Sequence, residues 1–106
     1  MTDPTACTVY PNLPAEAPIP ARGILSQTLS DDGGVELVLF AFAAGEQLSA
    51  HTSARPAIIH VLAGSAAVTL GPDTHEAGPG FWARMPARVE HAIVATTPLV
   101  MALYLL

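Results

Sequence analysis

With 106 residues, 51% of them hydrophobic and only 12% charged, the chain is sized for one domain with a substantial core. The formal net charge is −5, with four basic residues, all arginine, which excludes the basic patches that nucleic acid requires and any attraction to an anionic membrane surface. No apolar run approaches the ~18 residues of a membrane-spanning helix, and Cys7, alone of its kind, supports neither a disulfide framework nor a cysteine-built zinc site within the chain.

The N-terminus lacks a basic stretch followed by an apolar one, so the expected location is the cytoplasm. Residues 1–22 form a proline-rich arm containing Pro4, Pro11, Pro14, Pro18 and Pro20. Proline fixes φ and removes a backbone donor, so the arm cannot pair as a central strand. It is either disordered or draped as a strap, and Val9, Tyr10, Leu13 and Ile19 suit the strap.

From Gly23 the pattern changes to short β-type runs separated by turn residues. Residues 24–30 read as the first strand. Asp31-Asp32-Gly33-Gly34 is a turn, and residues 35–43, rich in Val, Leu and Phe, are the second strand. A short polar strand follows at 47–53, then strands at 57–62 and 66–70. Gly71-Pro72-Asp73 turns the chain toward 75–77, and Gly78-Pro79-Gly80 turns it again. Residues 81–85, 90–95 and 99–106 complete the set.

Short strands at regular spacing, with no convincing amphipathic helix, predict an all-β domain over 23–106, a sandwich, jelly roll or barrel. The strands at 57–62 and 99–106 are apolar on both faces. One face would fill the interior, and the other must be covered by a second sheet or another subunit. A homodimer is the expected assembly, because a large exposed apolar face on a monomer is a liability.

Two histidine-bearing stretches lie about 40 residues apart in this pattern. In the first, Gly45 is followed after five residues by His51, then Thr52, Ser53, three residues, Ala57, six residues and Gly64. In the second, Gly80 is followed after five residues by Pro86, Ala87, Arg88, two residues, His91, three residues and Ala95. These spacings resemble the two motifs of the cupin superfamily, G-x5-H-x-H-x3-E-x6-G and G-x5-P-x-G-x2-H-x3-N. The chain is similar in particular to the small single-domain, RmlC-like conserved-barrel members. The resemblance implies a double-stranded β-helix, or jelly-roll barrel. In metal-binding cupins both histidines and the glutamate of the first motif join the histidine of the second around a divalent metal. Here His51 and His91 are kept, Ser53 and Ala57 replace the other two ligands, and Arg88 and Ala95 stand for the second motif's Gly and Asn.

Two imidazoles without a carboxylate fall short of the three protein ligands that catalytic zinc-type sites keep. Imidazole suits Ni, Cu and Zn, and a two-histidine site of a metal-dependent dioxygenase, isomerase or decarboxylase, loaded with Zn, Ni, Fe or Mn, is the alternative to a metal-free pocket that binds a small molecule. Strand alternation puts Gln47, Ser49, His51 and Ser53 on one face, a hydrogen-bonding wall without fixed charge. Trp82 and Arg84 share a face that is either inward, where a ring and a guanidinium suit a small aromatic or carboxylate ligand, or outward at an interface. Tyr104 is a further candidate for the pocket. If Ala57 points inward, His60 points away from it, and His75, beside a turn, reads as a surface residue. No nucleophile elbow or Ser-His-Asp set is evident. The candidate ligand pocket is therefore Gln47, His51, Ser53, Trp82, Arg84, His91 and Tyr104.

Overall fold

The computed structural model describes residues 5–106; residues 1–4, with Pro4, lie outside the described part. Nine strands follow a short 3-10 helix at Leu13–Glu16: β1 Ile24–Asp32, β2 Val35–Phe42, β3 Gln47–His51, β4 Ala57–Ala63, β5 Ala66–Leu70, β6 Asp73–Ala77, β7 Trp82–Met85, β8 His91–Ala95 and β9 Leu99–Leu105. Every pairing among them is antiparallel. One sheet has the order β1-β2-β9-β4-β7 and the other β3-β8-β5-β6. The all-β jelly-roll expectation holds.

The inner faces of the two sheets meet in a single core. Along β4 the period-2 alternation buries Ala57, Ile59 and Val61. They pack with Phe42, Met85, Leu99 and Met101 of the same sheet and with Val68, Ala77, Ile93 and Ala95 of the facing one. Phe42, Ile59, Val61, Val68 and Leu99 are fully buried, each contributing about 1.5–3 kcal/mol by leaving water.

The second apolar face of β2 and β9 is covered by the chain itself. Leu39, Ala41, Val100 and Ala102 form a second buried cluster on the outside of the five-stranded sheet, together with Ala17. Leu13, Leu29, Leu37 and Tyr104 pack against it. Two bonds fasten the arm: the Tyr10 hydroxyl donates to Leu29 O at 2.9 Å, and the Gln27 amide donates to Glu16 O. The proline-rich arm is thus a strap, and it supplies part of the cover that the sequence assigns to another subunit. Leu29 faces the strap by the same alternation that turns Leu25 and Gln27 outward, opposite the outer-cluster Ala41 and Leu39, and the register of β1 shifts just there, between Thr28 and Ser30.

Glycines close the turns that return the chain between sheets, and one of them is irreplaceable on steric grounds. Gly64 has φ +82°, and a Cβ there would lie 1.9 Å from Pro98 O. Gly45 has nearly the same φ, +83°, but open space where a Cβ would sit. Gly45→Ala is therefore expected to cost about 1–2 kcal/mol, the left-handed penalty alone. Gly64→Ala must also displace the β8–β9 connection and should cost several-fold more or prevent folding. Urea unfolding of the two variants checks the contrast.

Candidate functional site

The site depends on how β3 meets β8. Leu48 pairs with Ile93 and faces the core, while Gln47 pairs with Val94, which is 40% exposed on the outer side. Strict alternation from Leu48 would then turn His51 outward. Between Leu48 and His51 the ladder shifts, with two residues on β3 opposed by Ala92 alone on β8, and His51 comes to pair with His91. This bulge returns His51 to the inward face, since residues directly opposed across a ladder share a face. The two rings stand with centroids 4.1 Å apart at an interplanar angle of 60°. Because His51 ends β3 and His91 begins β8, the pair sits at the rim of the barrel. His91 is buried at 5% exposure, whereas His51 is open to solvent.

Both rings are oriented by the backbone two residues upstream. His51 Nδ1 lies 2.8 Å from Ser49 O and His91 Nδ1 lies 3.0 Å from Val89 O. A carbonyl can only accept, so each Nδ1 carries the proton in the neutral ring and each Nε2 presents a lone pair. Burial pushes His91 below the ordinary histidine range; its bond to Val89 O opposes that shift, and charge on His51 reinforces it. His91 is neutral at pH 7, and the pair offers two acceptors at one end of the barrel.

A short link locks the two histidine loops together. Arg88 N donates to Ser53 O at 2.7 Å, and Gly71 N donates to Glu90 O at 2.7 Å on the other side of the same loop. Arg88 takes φ +68°, the only non-glycine in the left-handed region among the described residues. That conformation explains the Gly of the cupin motif at this position and costs an arginine about 1–2 kcal/mol. Ser53 belongs to this link: its hydroxyl accepts Arg55 N at 3.1 Å, closing the turn that leads into β4.

The remaining candidates do not join the pair. Gln47 is separated from His51 by the bulge and faces outward. Trp82 and Arg84 pair with His60 and Ile58, on the face opposite the buried Ala57, Ile59 and Met85. Trp82 is 57% exposed. Tyr104 pairs with Ile58 and Leu37 and packs in the outer cluster beneath the strap. These four are corrections to the pocket read from sequence, and all follow from ladder register. His60 points away from the interior, as the alternation of β4 predicts. Arg55 is consumed by structure: its guanidinium donates to Glu36 Oε1, Gly34 O, Leu105 O and Leu106 O, tying the β1–β2 hairpin to the end of β9.

The interior behind the histidines is packed by the core, and no cavity is found among the described residues. This corrects the expectation of a ligand pocket inside the barrel and moves any contact to the rim. The donor set also fails the requirements of a cupin metal centre. Two Nε2 atoms on one metal at ~2.1 Å each must lie within about 4.2 Å of one another, which the ring spacing allows. The third and fourth ligands are missing, since Ala57 occupies the carboxylate position at 2% exposure and the Ser53 hydroxyl serves its turn. Among the described residues no group of three or more His, Cys, Asp or Glu converges.

A family model described as "Cupin domain" matches residues 38–105. The chain belongs to the cupin family. This cupin is similar in structure to a conserved protein of unknown function from Streptococcus pyogenes, with a TM-score of 0.83 and 25% identity over 98% of this chain and 91% of that one. It is equally similar to a cupin superfamily protein from Desulfitobacterium hafniense, with a TM-score of 0.83 and 25% identity over 90% and 87% of the two chains. KdgF from a Halomonas species gives a TM-score of 0.72 and 26% identity over 78% of each chain. No curated protein matches this cupin.

The buried, lowered His91 sets a pH dependence. Unfolded, the ring takes up a proton near pH 6.5; folded, it resists until lower pH. Its contribution to stability is therefore complete above about 6.5 and is lost as pH falls through the lowered value. Thermal unfolding followed from pH 7.5 to 5.0 should show a larger fall in Tm for the wild type than for His91→Gln.

Proposed function

We propose that this cupin binds a small molecule at the rim of its barrel, in contact with His51 and His91, as a metal-free and at most weakly catalytic module. The observation that carries this reading is the shared orientation of the two rings. Each Nδ1 is tied back to a carbonyl, leaving two Nε2 acceptors at one place on an otherwise apolar inner face. Such a pair recognises a hydrogen-bond donor, a hydroxyl or enol, and rejects a bare anion, because acceptor meets acceptor.

The alternative is a metal-dependent cupin enzyme with a reduced two-histidine set holding Zn, Ni, Fe or Mn. The ring spacing favours it, and the absent third ligand opposes it. Elemental analysis of protein purified without chelator, set beside the His51→Ala/His91→Ala double variant, separates the two readings. The metal-free reading predicts substoichiometric metal that is equal in both proteins. Stoichiometric metal lost in the double variant would establish the enzyme reading instead.

A direct test uses long-range 1H–15N spectra of the histidine rings. Both should report the Nδ1–H tautomer at pH 7.5, and small hydroxyl-bearing molecules should perturb both rings together. Perturbation of neither ring by any such molecule would sink the proposal.

The homodimer belongs to the same proposal. Ile58, His60, Trp82 and Arg84 share an outer face, and Trp82 is exposed on the edge strand β7. A cytoplasmic location is proposed with it.

A further inference from the structure

We infer that two copies of this chain pair edge to edge through β1, antiparallel about a twofold axis at Ser26; this rests on the homodimer of the proposed function and gives it a contact. β1 ends the five-stranded sheet, with β2 its only neighbouring strand. Gly23 O accepts from Ala43 N, one step beyond the Ile24–Phe42 pair. Hydrogen-bonded and non-bonded pairs alternate along an antiparallel ladder, so Gly23, Leu25 and Gln27 direct their backbone groups to β2. Ile24, Ser26 and Thr28 direct theirs away from the sheet, and among the described residues no segment outside the ladder bonds to them.

This edge is also unguarded. Exposed edges are commonly protected by shortness, charge or a bulge. β7 has four residues and carries Arg84, β6 has five and carries Asp73 and Glu76, and β3 has five and is bulged. β1 has nine residues, no charge from Ile24 to Ser30, and a regular ladder from Ile24 to Thr28. Leu25 is 50% exposed on its outer face, and Ser26 and Thr28 are exposed on the other. The Tyr10 hydroxyl reaches Leu29 O, past the regular stretch.

The charge pattern selects a second copy in antiparallel orientation. Arg22 precedes the strand and Asp31 and Asp32 end it, and among the described residues none of the three is in an ion pair. Antiparallel pairing sets the Arg22 end of each copy beside the acidic end of the other, whereas parallel pairing sets like beside like. The uncharged stretch then falls in the middle, where two chains of net charge −5 can approach. An axis at Ser26, the midpoint of the regular stretch, makes the Ser26–Ser26 pair and both Ile24–Thr28 pairs hydrogen-bonded ones, which uses every outward backbone group of the three residues. It also opposes Leu25 of one copy to Gln27 of the other and covers the exposed leucine. The five-stranded sheet thereby continues from one copy into the next.

Sedimentation equilibrium of the full-length protein at about 0.1 mM, enough to populate a dimer of micromolar affinity, tests the contact. The wild type should show about twice the 11.0 kDa mass of the chain. Ser26→Pro should be monomeric, because the Ser26 N–H faces away from β2 and proline there removes a dimer bond without removing a ladder bond. Ser26→Lys leaves the backbone alone and sets like charges on the axis, and should weaken the dimer by about tenfold or more. Asp32→Arg should weaken it at low salt, and the Arg22→Asp/Asp32→Arg double variant should restore it.

Unchanged His51 and His91 ring signals show that a variant is folded; if Ser26→Pro does not fold, Ser26→Lys decides. A dimer undiminished by the Ser26 variants would overturn the β1 contact and leave the homodimer to the Trp82 face, at the opposite edge of the sheet. A double variant no tighter than Asp32→Arg would overturn the antiparallel arrangement. A monomeric wild type would remove the contact and the homodimer together and leave the histidine site untouched.

Discussion

The cross-strand contact between His51 and His91 depends on one irregularity, the bulge in β3. Without it the regular pleat that buries Leu48 would send His51 to solvent, and the two rings would not meet. A bulge costs a ladder bond and re-aims a side chain. Here it brings a residue from an otherwise polar, exposed strand against the buried first residue of β8. The Arg88–Ser53 bond then holds the two loops at that spacing, so the position of the rings is set by backbone on both sides.

That arrangement survives although half of the metal ligands of the cupin motif have been replaced. Ala57 and Ser53 were each absorbed by other duties: Ala57 is core, beneath the strands that end the barrel, and Ser53 is a turn residue. The inner space that a glutamate and a third imidazole would take is instead filled with aliphatic side chains. A carboxylate returned to position 57 would be buried in that apolar layer, where an unpaired charge is strongly disfavoured.

The outer side of the five-stranded sheet follows a similar economy. A chain with 51% hydrophobic residues in 106 has more apolar surface than one inter-sheet layer can bury. The proline-rich arm supplies a second layer over β2 and β9 without adding strands, because proline cannot extend a sheet but can lie along one. The arm stops short of β7, and Trp82 is left uncovered at that edge.

Much of this was legible in the residues themselves. The turn glycines, the period-2 runs and the spacing from Gly45 to Ala95 marked the strands, the jelly roll and the two histidines whose rings meet across β3 and β8, because turn chemistry and alternation are local properties. The faces of Gln47, Trp82, Arg84 and Tyr104 were not legible. A strand's period is local, but its phase relative to the core is decided by its partners, and a single bulge inverts it for every residue beyond. The filled interior and the strap likewise belong to the tertiary structure, since each is a relation between segments far apart in the chain.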